Sequence, residues 1–233
     1  MHLLAIETSG PRGGIALLDD SAGPTLVDEV SLADDLRHAR DLFVAIQGAC
    51  RRAGWQPRDI DLVAVSIGPG SFTGVRIAVT LAKFVAWDTG AKVVAVPSLR
   101  ALAENAPADC PRVATLLDAK RAGLFASIFE RQGETLAEVF GPAVIEPADL
   151  ARRLARPALI LGRGTAKARA ALAGFDLAPA DLWDARPSAV ARLGWSMHQR
   201  GEYADPLRLE PVYLRRPEAE EIWQRRHGAG SDG

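Results

Sequence analysis

Residues 59–88, DIDLVAVSIGPGSFTGVRIAVTLAKFVAWD, carry a buried strand through a glycine-rich turn directly into an unusually apolar helix. Leu62 to Ile67 is a short β-branched run, the pattern of a strand covered on both faces of a sheet. Gly68 and Gly70 allow positive φ or close backbone approach, and Ser71 or Thr73 can cap the helix that follows. Two readings of this turn stand. Free amides at a helix start make an anion site, which points to phosphate. A tight strand-to-helix connection uses the same glycines with no ligand at all. The spacing Gly68, Gly70, Gly74 has one residue too many for a dinucleotide fingerprint, and no Lys stands where a P-loop needs one.

A weak internal echo runs through the chain. LLAIETSGPRGGIALLDD near the start resembles VATLLDAKRAGLFASIFE at Val113 to Glu130: a strand ending in an acidic residue, Glu7 or Asp118, then a polar turn with an Arg and a second strand. Third strands follow at Leu26 to Val30 and Leu136 to Phe140. LVAVSIGPGS finds a fainter counterpart in ALILGRGTAK, Ala158 to Lys167, leading to a helix-like stretch at Ala166 to Ala173. Two copies of a strand-strand-strand-helix-strand-helix unit predict a duplicated α/β fold. PSLRALAENAPADCPR, with Pro97, Pro107 and Pro111 around a short helix, marks the junction near residues 103 to 111. The division expected is 1–104 and 105–223, with 224–233 as a frayed tail.

The 233 residues carry 28 basic and 29 acidic side chains, so no net field draws nucleic acid or an anionic membrane to this chain. Cys50 and Cys110 have no ligand-like spacing and read as reduced residues rather than a disulfide. No run approaches about 20 apolar residues and the chain enters strand Leu3 to Ile6 at once, so the expectation is a soluble intracellular protein. The four histidines, His2, His38, His198 and His227, are scattered, with no second metal ligand at helical spacing.

The helices of the first half carry an apolar surplus. One starts at Asp34 or Asp35 and runs to about Ala53, with Leu36, Ala39, Phe43, Ile46, Cys50 and Ala53 on its core face, and Leu42, Ala45 and Ala49 widening the stripe. In the other, Gly74 to Trp87, Arg76, Thr80 and Lys83 share one narrow strip. Its large side chains Ile77, Leu81, Phe84 and Val85 form one flank, its smaller ones Val75, Val79, Ala82 and Ala86 another. One sheet covers one flank only. The other meets either the neighbouring helix or a second chain, and Leu42, Ala45, Ala49, Val75, Val79, Ala82 and Ala86 are the candidate partner surface.

The ETS near the N-terminus, GPGSFTG with its helix, PSLRALAE and LLDAKRAGLFASIFE together resemble the TsaB (YeaZ) family, with a looser echo at VYLRRP, Val212 to Pro217. That resemblance implies a two-domain actin-like (ASKHA) fold of duplicated ribonuclease H-like units, the second abbreviated. It implies a cytoplasmic, noncatalytic partner of a TsaD-like paralogue in making threonylcarbamoyladenosine beside the anticodon of tRNA. A small TsaE-like ATPase takes part, ATP is used by the complex, and no cofactor or metal is held by this chain alone. The family's contact with the paralogue uses the helices of the first domain, and self-association through the same surface is an open alternative.

The resemblance also locates what is missing. TsaD-like proteins hold a metal through His-x-x-x-His, and the matching stretch here, Ser98 to Leu102, has no histidine. Glu7, Thr8 and Ser9 stand where actin-like kinases put their first phosphate loop, without its second glycine, and Asp118 stands in the matching place of the second half. With Gly68, Gly70, Ser71 and Thr73 these are the candidate nucleotide-contacting residues. GPGSFTG is not the G-x-S-x-G of a nucleophile elbow, so Ser71 reads as a cap and not a nucleophile. An actin-like ATPase or small-molecule kinase, and a metallopeptidase of the M22 kind, are the alternatives to an interaction protein.

Overall fold

In strand β1 (His2–Glu7) successive side chains serve two different cores. Leu4 and Ile6 pack with one helix layer and Leu3 and Ala5 with another, because a strand's residues alternate between faces. The same alternation continues in β2 (Gly14–Asp19) and in β4 (Leu62–Ser66), where Val63 and Val65 face one way and Leu62 and Ala64 the other. With β3 (Thr25–Ser31) and β5 (Lys92–Val96) they form a sheet in the order β3-β2-β1-β4-β5. β1 pairs antiparallel with β2 and parallel with β4.

The computed structural model describes residues 1–32, 38–120 and 123–214, the side chains of 38–40 excepted. Asp34, Asp35 and Leu36, expected to open the first long helix, the side chain of Ala39, and the tail 224–233 lie outside what it describes.

A second sheet repeats the first. It comprises β6 (Arg112–Asp118), β7 (Leu124–Gln132), β8 (Thr135–Ile145), β9 (Leu159–Leu161) and β10 (Asp176–Leu177), in the order β10-β9-β6-β7-β8. Here β6 pairs antiparallel with β7 and parallel with β9, which is the relation of β1 to β2 and β4. The echo between the two halves of the sequence is therefore a duplication of topology. The second copy is the abbreviated one, as expected: its helices α4 (Pro147–Arg153) and α5 (Thr165–Ala168) have 7 and 4 residues. Their counterparts α1 (His38–Ala53) and α2 (Phe72–Thr89) have 16 and 18.

Each unit lends a helix to the other. Helix α3 (Ser98–Ala103) closes the first copy, yet Leu102 and Ala103 pack with Val113, Phe129 and Leu161 of the second sheet. Helix α6 (Pro187–Gln199) closes the second copy, yet Val190 and Ala191 pack with Leu3, Ala5, Leu18 and Ala64 of the first sheet. The sequence division at residue 104 places α3 with the first unit and α6 with the second. The exchange was invisible there because an amphipathic face says that a helix is covered, not by which sheet. Residues 205–214 also return to the first unit, with Leu209 buried in its core and the Val212 amide bonded to the Ile67 carbonyl at 2.7 Å. Cys50 and Cys110 are both free thiols.

Gly194 fixes how closely α6 docks, since a Cβ built there would lie 2.3 Å from the Cβ of Ala64. Gly194→Leu is expected to lower stability by about 2 kcal/mol or more, because overpacking forces the helix off the sheet. Urea unfolding checks this, and an unchanged midpoint would mean that α6 does not seal the first sheet.

Candidate functional site

The chain after β1 and the chain after β4 meet backbone against backbone. The Ser71 amide donates to the Ser9 carbonyl at 2.7 Å, and the Thr8 hydroxyl donates to the Gly74 carbonyl at 2.7 Å. A Cβ at Gly70 would stand 2.4 Å from the Ser9 carbonyl oxygen, and one at Gly74 would stand 2.0 Å from that of Thr8. No side chain fits at either place. Gly68 has φ +103°, a left-handed conformation, and the Val212 carbonyl lies 2.9 Å from where its Cβ would be. Ser71 caps α2, its hydroxyl accepting from the Gly74 amide at 3.2 Å. Ser66 and Ser98 join hydroxyls at 2.7 Å, and Ser98 also accepts from the Gly68 amide at 2.9 Å.

Of the residues singled out as nucleotide-contacting, the structure thus brings Glu7, Thr8, Ser9, Gly68, Gly70, Ser71 and Thr73 to one seam. The glycines there serve close approach of one loop to the other, and Ser71 serves the helix. Thr73 is exposed. Asp118 lies on the other sheet, at the end of β6. Its carboxylate receives the Lys120 amide at 2.8 Å and the ammonium of Lys167 at 3.4 Å. Lys167 also donates to the carbonyls of Lys120 and Gly123. A lysine therefore neutralises the carboxylate that an actin-like ATPase would offer to a metal-bound water. Glu7 occupies the equivalent strand end in the first unit, but the two environments differ sharply.

Glu7 is fully enclosed. One carboxyl oxygen, Oε1, accepts from the Ser9 amide at 2.5 Å and the Ser9 hydroxyl at 2.6 Å, and the other has no hydrogen-bond partner. Burial raises its pKa above the ordinary 4.5, and the Ser9 hydrogen bonds, with the nearby polar groups of Ser66 and Gly10, pull back only part of that rise. In the unfolded chain Glu7 ionises at its usual pH; in the fold it holds its proton longer. The favourable term is thus complete below pH 4.5 and is lost as pH rises through the folded-state pKa. Glu7→Gln keeps the shape and cannot ionise. Its stability is expected to match the natural chain at acid pH and exceed it at alkaline pH, with a flatter profile. Parallel profiles in thermal unfolding from pH 4 to 9 would show that this carboxyl is not destabilised by burial.

The partner surface read from the sequence needs correction. Leu42, Ala49, Val75, Val79, Ala82 and Ala86 are all buried, and Ala45 is partly buried against the same core, which α1 and α2 build on the first sheet. They belong to the interior. What α1 and α2 expose is larger: Phe43 is 56%, Val44 64%, Phe84 53% and Trp87 80% accessible. Phe43 and Phe84 were expected on core-facing flanks, and the structure turns both outward. The small side chains let α2 sit close to sheet and neighbouring helix; of its large side chains Leu81 is buried with them, and Phe84 and Trp87 are left outside. Between the helices lies a groove of about 320 Å³ lined by Phe43, Val44, Gln47, Phe84, Val85 and Asp88. The signal was present in the helical wheel. At 100° per residue Trp87 falls about midway between Arg76 and Thr80, within the polar strip.

A second concavity, of about 800 Å³, opens between β8 and α4, and both arginines that line it are already engaged. Arg152 pairs with Asp149, and Arg153 lies over the Phe140 ring at 5.0 Å. Among the described residues there is no group of three or more His, Cys, Asp or Glu side chains placed to hold a metal ion. Nor is any helix among them long and apolar enough to cross a membrane. The stretch Ser98 to Leu102 is occupied structurally: Leu99 and Leu102 are buried, and Arg100 pairs with Glu104 at 2.9 Å and lies 5.6 Å over Phe129.

With Val79 and Ala82 inside, Val79→Asp or Ala82→Glu would bury a charge with no partner, at a cost on the order of 3–5 kcal/mol. Both variants are expected to be unfolded or much less stable than the natural chain. Either one remaining fully folded by circular dichroism and melting temperature would return this flank to the surface.

Comparison with known proteins follows the same lines. A family model described as "TsaD: tRNA N6-adenosine threonylcarbamoyltransferase" matches residues 32–180. The "tRNA threonylcarbamoyladenosine biosynthesis protein TsaB" of Bacillus subtilis (strain 168) is 33% identical over 232 residues, spanning 96% of this chain and 98% of that protein. The crystal structure of "YeaZ from Pseudomonas aeruginosa" superposes with a TM-score of 0.78 at 26% identity, over 91% of this chain and 99% of that one. A second structure, of a protein from Pseudomonas aeruginosa described as having "similarity to peptidase YEAZ", gives a TM-score of 0.77 at 26% identity over 92% and 99%. The model named for the transferase matches residues 32–180, whereas the match to the Bacillus subtilis protein spans 96% of the chain.

Proposed function

The chain belongs to the TsaB (YeaZ) family of tRNA threonylcarbamoyladenosine biosynthesis proteins, and from that membership we propose that it is the noncatalytic partner of a TsaD-type transferase. The observation that carries the reading is the exposed groove of Phe43, Val44 and Phe84 on α1 and α2, with the Trp87 ring 6.4 Å from that of Phe84 at its side. Aromatic rings standing this far out of a soluble fold, grouped around a concavity, are the usual anchors of a protein interface. A paralogue with the same two-copy architecture would present helices in the corresponding positions, and two such helix pairs can bury one another's large side chains. Self-association through the same groove is the competing use of that surface in the absence of the paralogue.

The rest of the molecule supports a role without chemistry of its own. The glycines of GPGSFTG are taken up by contact with Thr8 and Ser9, and Lys167 holds Asp118. A kinase or ATPase built on this chain would have to open the first and discharge the second. Nucleotide and the ATPase that uses it therefore belong to the complex, together with the tRNA, and the site of action is the cytoplasm.

Phe84→Glu with Val44→Asp places two charges on the groove without touching the core. Mixed with the TsaD-type paralogue, the natural chain is expected to form a stable complex by mass determination, and the double variant to lose it by at least about a hundredfold in affinity, while melting within a few degrees of the natural chain. A variant that still assembles would place the contact elsewhere. Threonylcarbamoyl transfer by the natural chain alone would end the noncatalytic reading.

A further inference from the structure

Along the first three turns of α2, beside the groove and sharing no residue with its lining, four side chains make a surface of another character. The rings of Phe72 and Tyr213 lie 5.0 Å apart, centroid to centroid, with their planes 33° from parallel. Arg76, one turn along the helix, carries its guanidinium 5.1 Å above the Phe72 ring. Lys83, two turns further, sends its ammonium to the Leu207 carbonyl at 3.4 Å. At 100° per residue Phe72, Arg76 and Lys83 fall within about 40° of one another, so rings and charges face one way along roughly 16 Å of helix. Phe72, Arg76 and Tyr213 are exposed.

Tyr213 is delivered to this place by the returning chain. Leu209 is buried in the first core, Val212 bonds to Ile67, and Leu214 packs against Leu99, Ala119 and Phe125 at the second unit. The segment that echoed the family at VYL is therefore a strap, and the exposed ring on it lands on the one aromatic side chain of the GPGSFTG turn. Burial raises the phenol's pKa and Glu210 adds to the rise, while Arg76 opposes it. Arg76 and Lys83 form no salt bridge among the described residues, although Glu210 is near Tyr213.

Exposed rings beside cations that pair with no carboxylate among the described residues suit a ligand offering both flat π faces and negative charge. Single-stranded nucleic acid has both, its bases stacking on aromatic and guanidinium planes while phosphates meet the cations. An acidic peptide would answer the charges but offers little to the rings. Resting on the function proposed above, we propose that Phe72, Arg76, Lys83 and Tyr213 form a platform on which this chain holds unpaired nucleotides of the tRNA. The near-neutral charge of the whole chain makes this a local contact that adds to the affinity of the complex, not a high-affinity site in isolation.

The test is fluorescence anisotropy with a labelled, unmodified transcript of a substrate tRNA, titrated with this chain alone and with its complex with the TsaD-type paralogue, over a range of salt. Arg76→Gln/Lys83→Gln is expected to weaken binding about tenfold in the complex and to make the salt dependence shallower by roughly 1.4, two contacts at about 0.7 each for single strands. Phe72→Leu/Tyr213→Leu should weaken it by a similar factor with the salt slope unchanged, since stacking releases no ions. Melting temperature of each variant separates lost contact from lost fold, and the charge pair remains informative if the aromatic pair unfolds. Unchanged RNA affinity in a folded charge variant overturns the proposal. So does absence of RNA binding by the natural chain both alone and in complex. Variants that bind RNA normally but no longer assemble with the paralogue would assign the platform to a protein contact instead. Failure of the natural chain to assemble at all strikes the function proposed above, and is read separately by mass.

Discussion

The seam where Gly70 and Gly74 lie against the carbonyls of Ser9 and Thr8 sets the position of almost everything else in the first unit. It is a contact of main chain with main chain, held by the Ser71 amide on Ser9 and the Thr8 hydroxyl on Gly74, and it leaves no room for a methyl group. Helix α2 begins at that contact, so its direction and depth are decided before any side chain packs. A helix brought in so closely meets the core mainly with small and medium side chains, Ala78, Val79, Leu81, Ala82 and Ala86, while Phe84 and Trp87 stand in solvent. The outward groove is thus a consequence of the inward glycines. The same seam encloses Glu7 and accounts for the carboxyl held there against its preference for water.

The two copies are tied by exchange. Helix α3 covers the second sheet and α6 covers the first, so each sheet has one face supplied by its own copy and one by the other. Neither unit completes its core alone. The strap through Leu209, Val212 and Leu214 adds a third crossing, from the first core to the flank of the second sheet. Actin-like enzymes open and close between their halves, but here both helices and the strap bury apolar side chains across the junction. Every Leu or Val so placed resists opening by about 1.5–3 kcal/mol.

Much of this was legible in the residues. The duplication could be seen because strand ends, turns and glycines recur in order, and sheet topology follows from that order. The strands Leu62 to Ile67 and Leu3 to Ile6 announced themselves by apolar runs that only a doubly covered sheet requires. The candidate site was legible as a place and not as an arrangement. Periodicity showed that α1 and α2 carry more apolar surface than one sheet hides, yet Val79 and Phe84 are equally apolar, and the wheel does not say which of them the glycine seam will press inward. Nor does it show that Asp118 is met by Lys167, 49 positions away. Contacts of that kind depend on where loops fold back, and a loop's path is written in its neighbours more than in itself.

The internal bonds at the two strand ends and the surface that α1 and α2 expose are linked in this fold. A phosphate loop works because its glycine amides point into open space and its carboxylates stay free for a metal. In this chain the amide of Ser71 is spent on Ser9, the carboxyl of Glu7 is sealed, and Asp118 carries a lysine. Each of these is an internal bond that ties a strand end to its neighbours. Rigidity is what a docking partner supplies: the large side chains on α1 and α2 lose little freedom on binding if the helices beneath them are already fixed. Trp87, at 80% exposure, and the rings near it are the kind of grouped apolar surface that marks an interaction site.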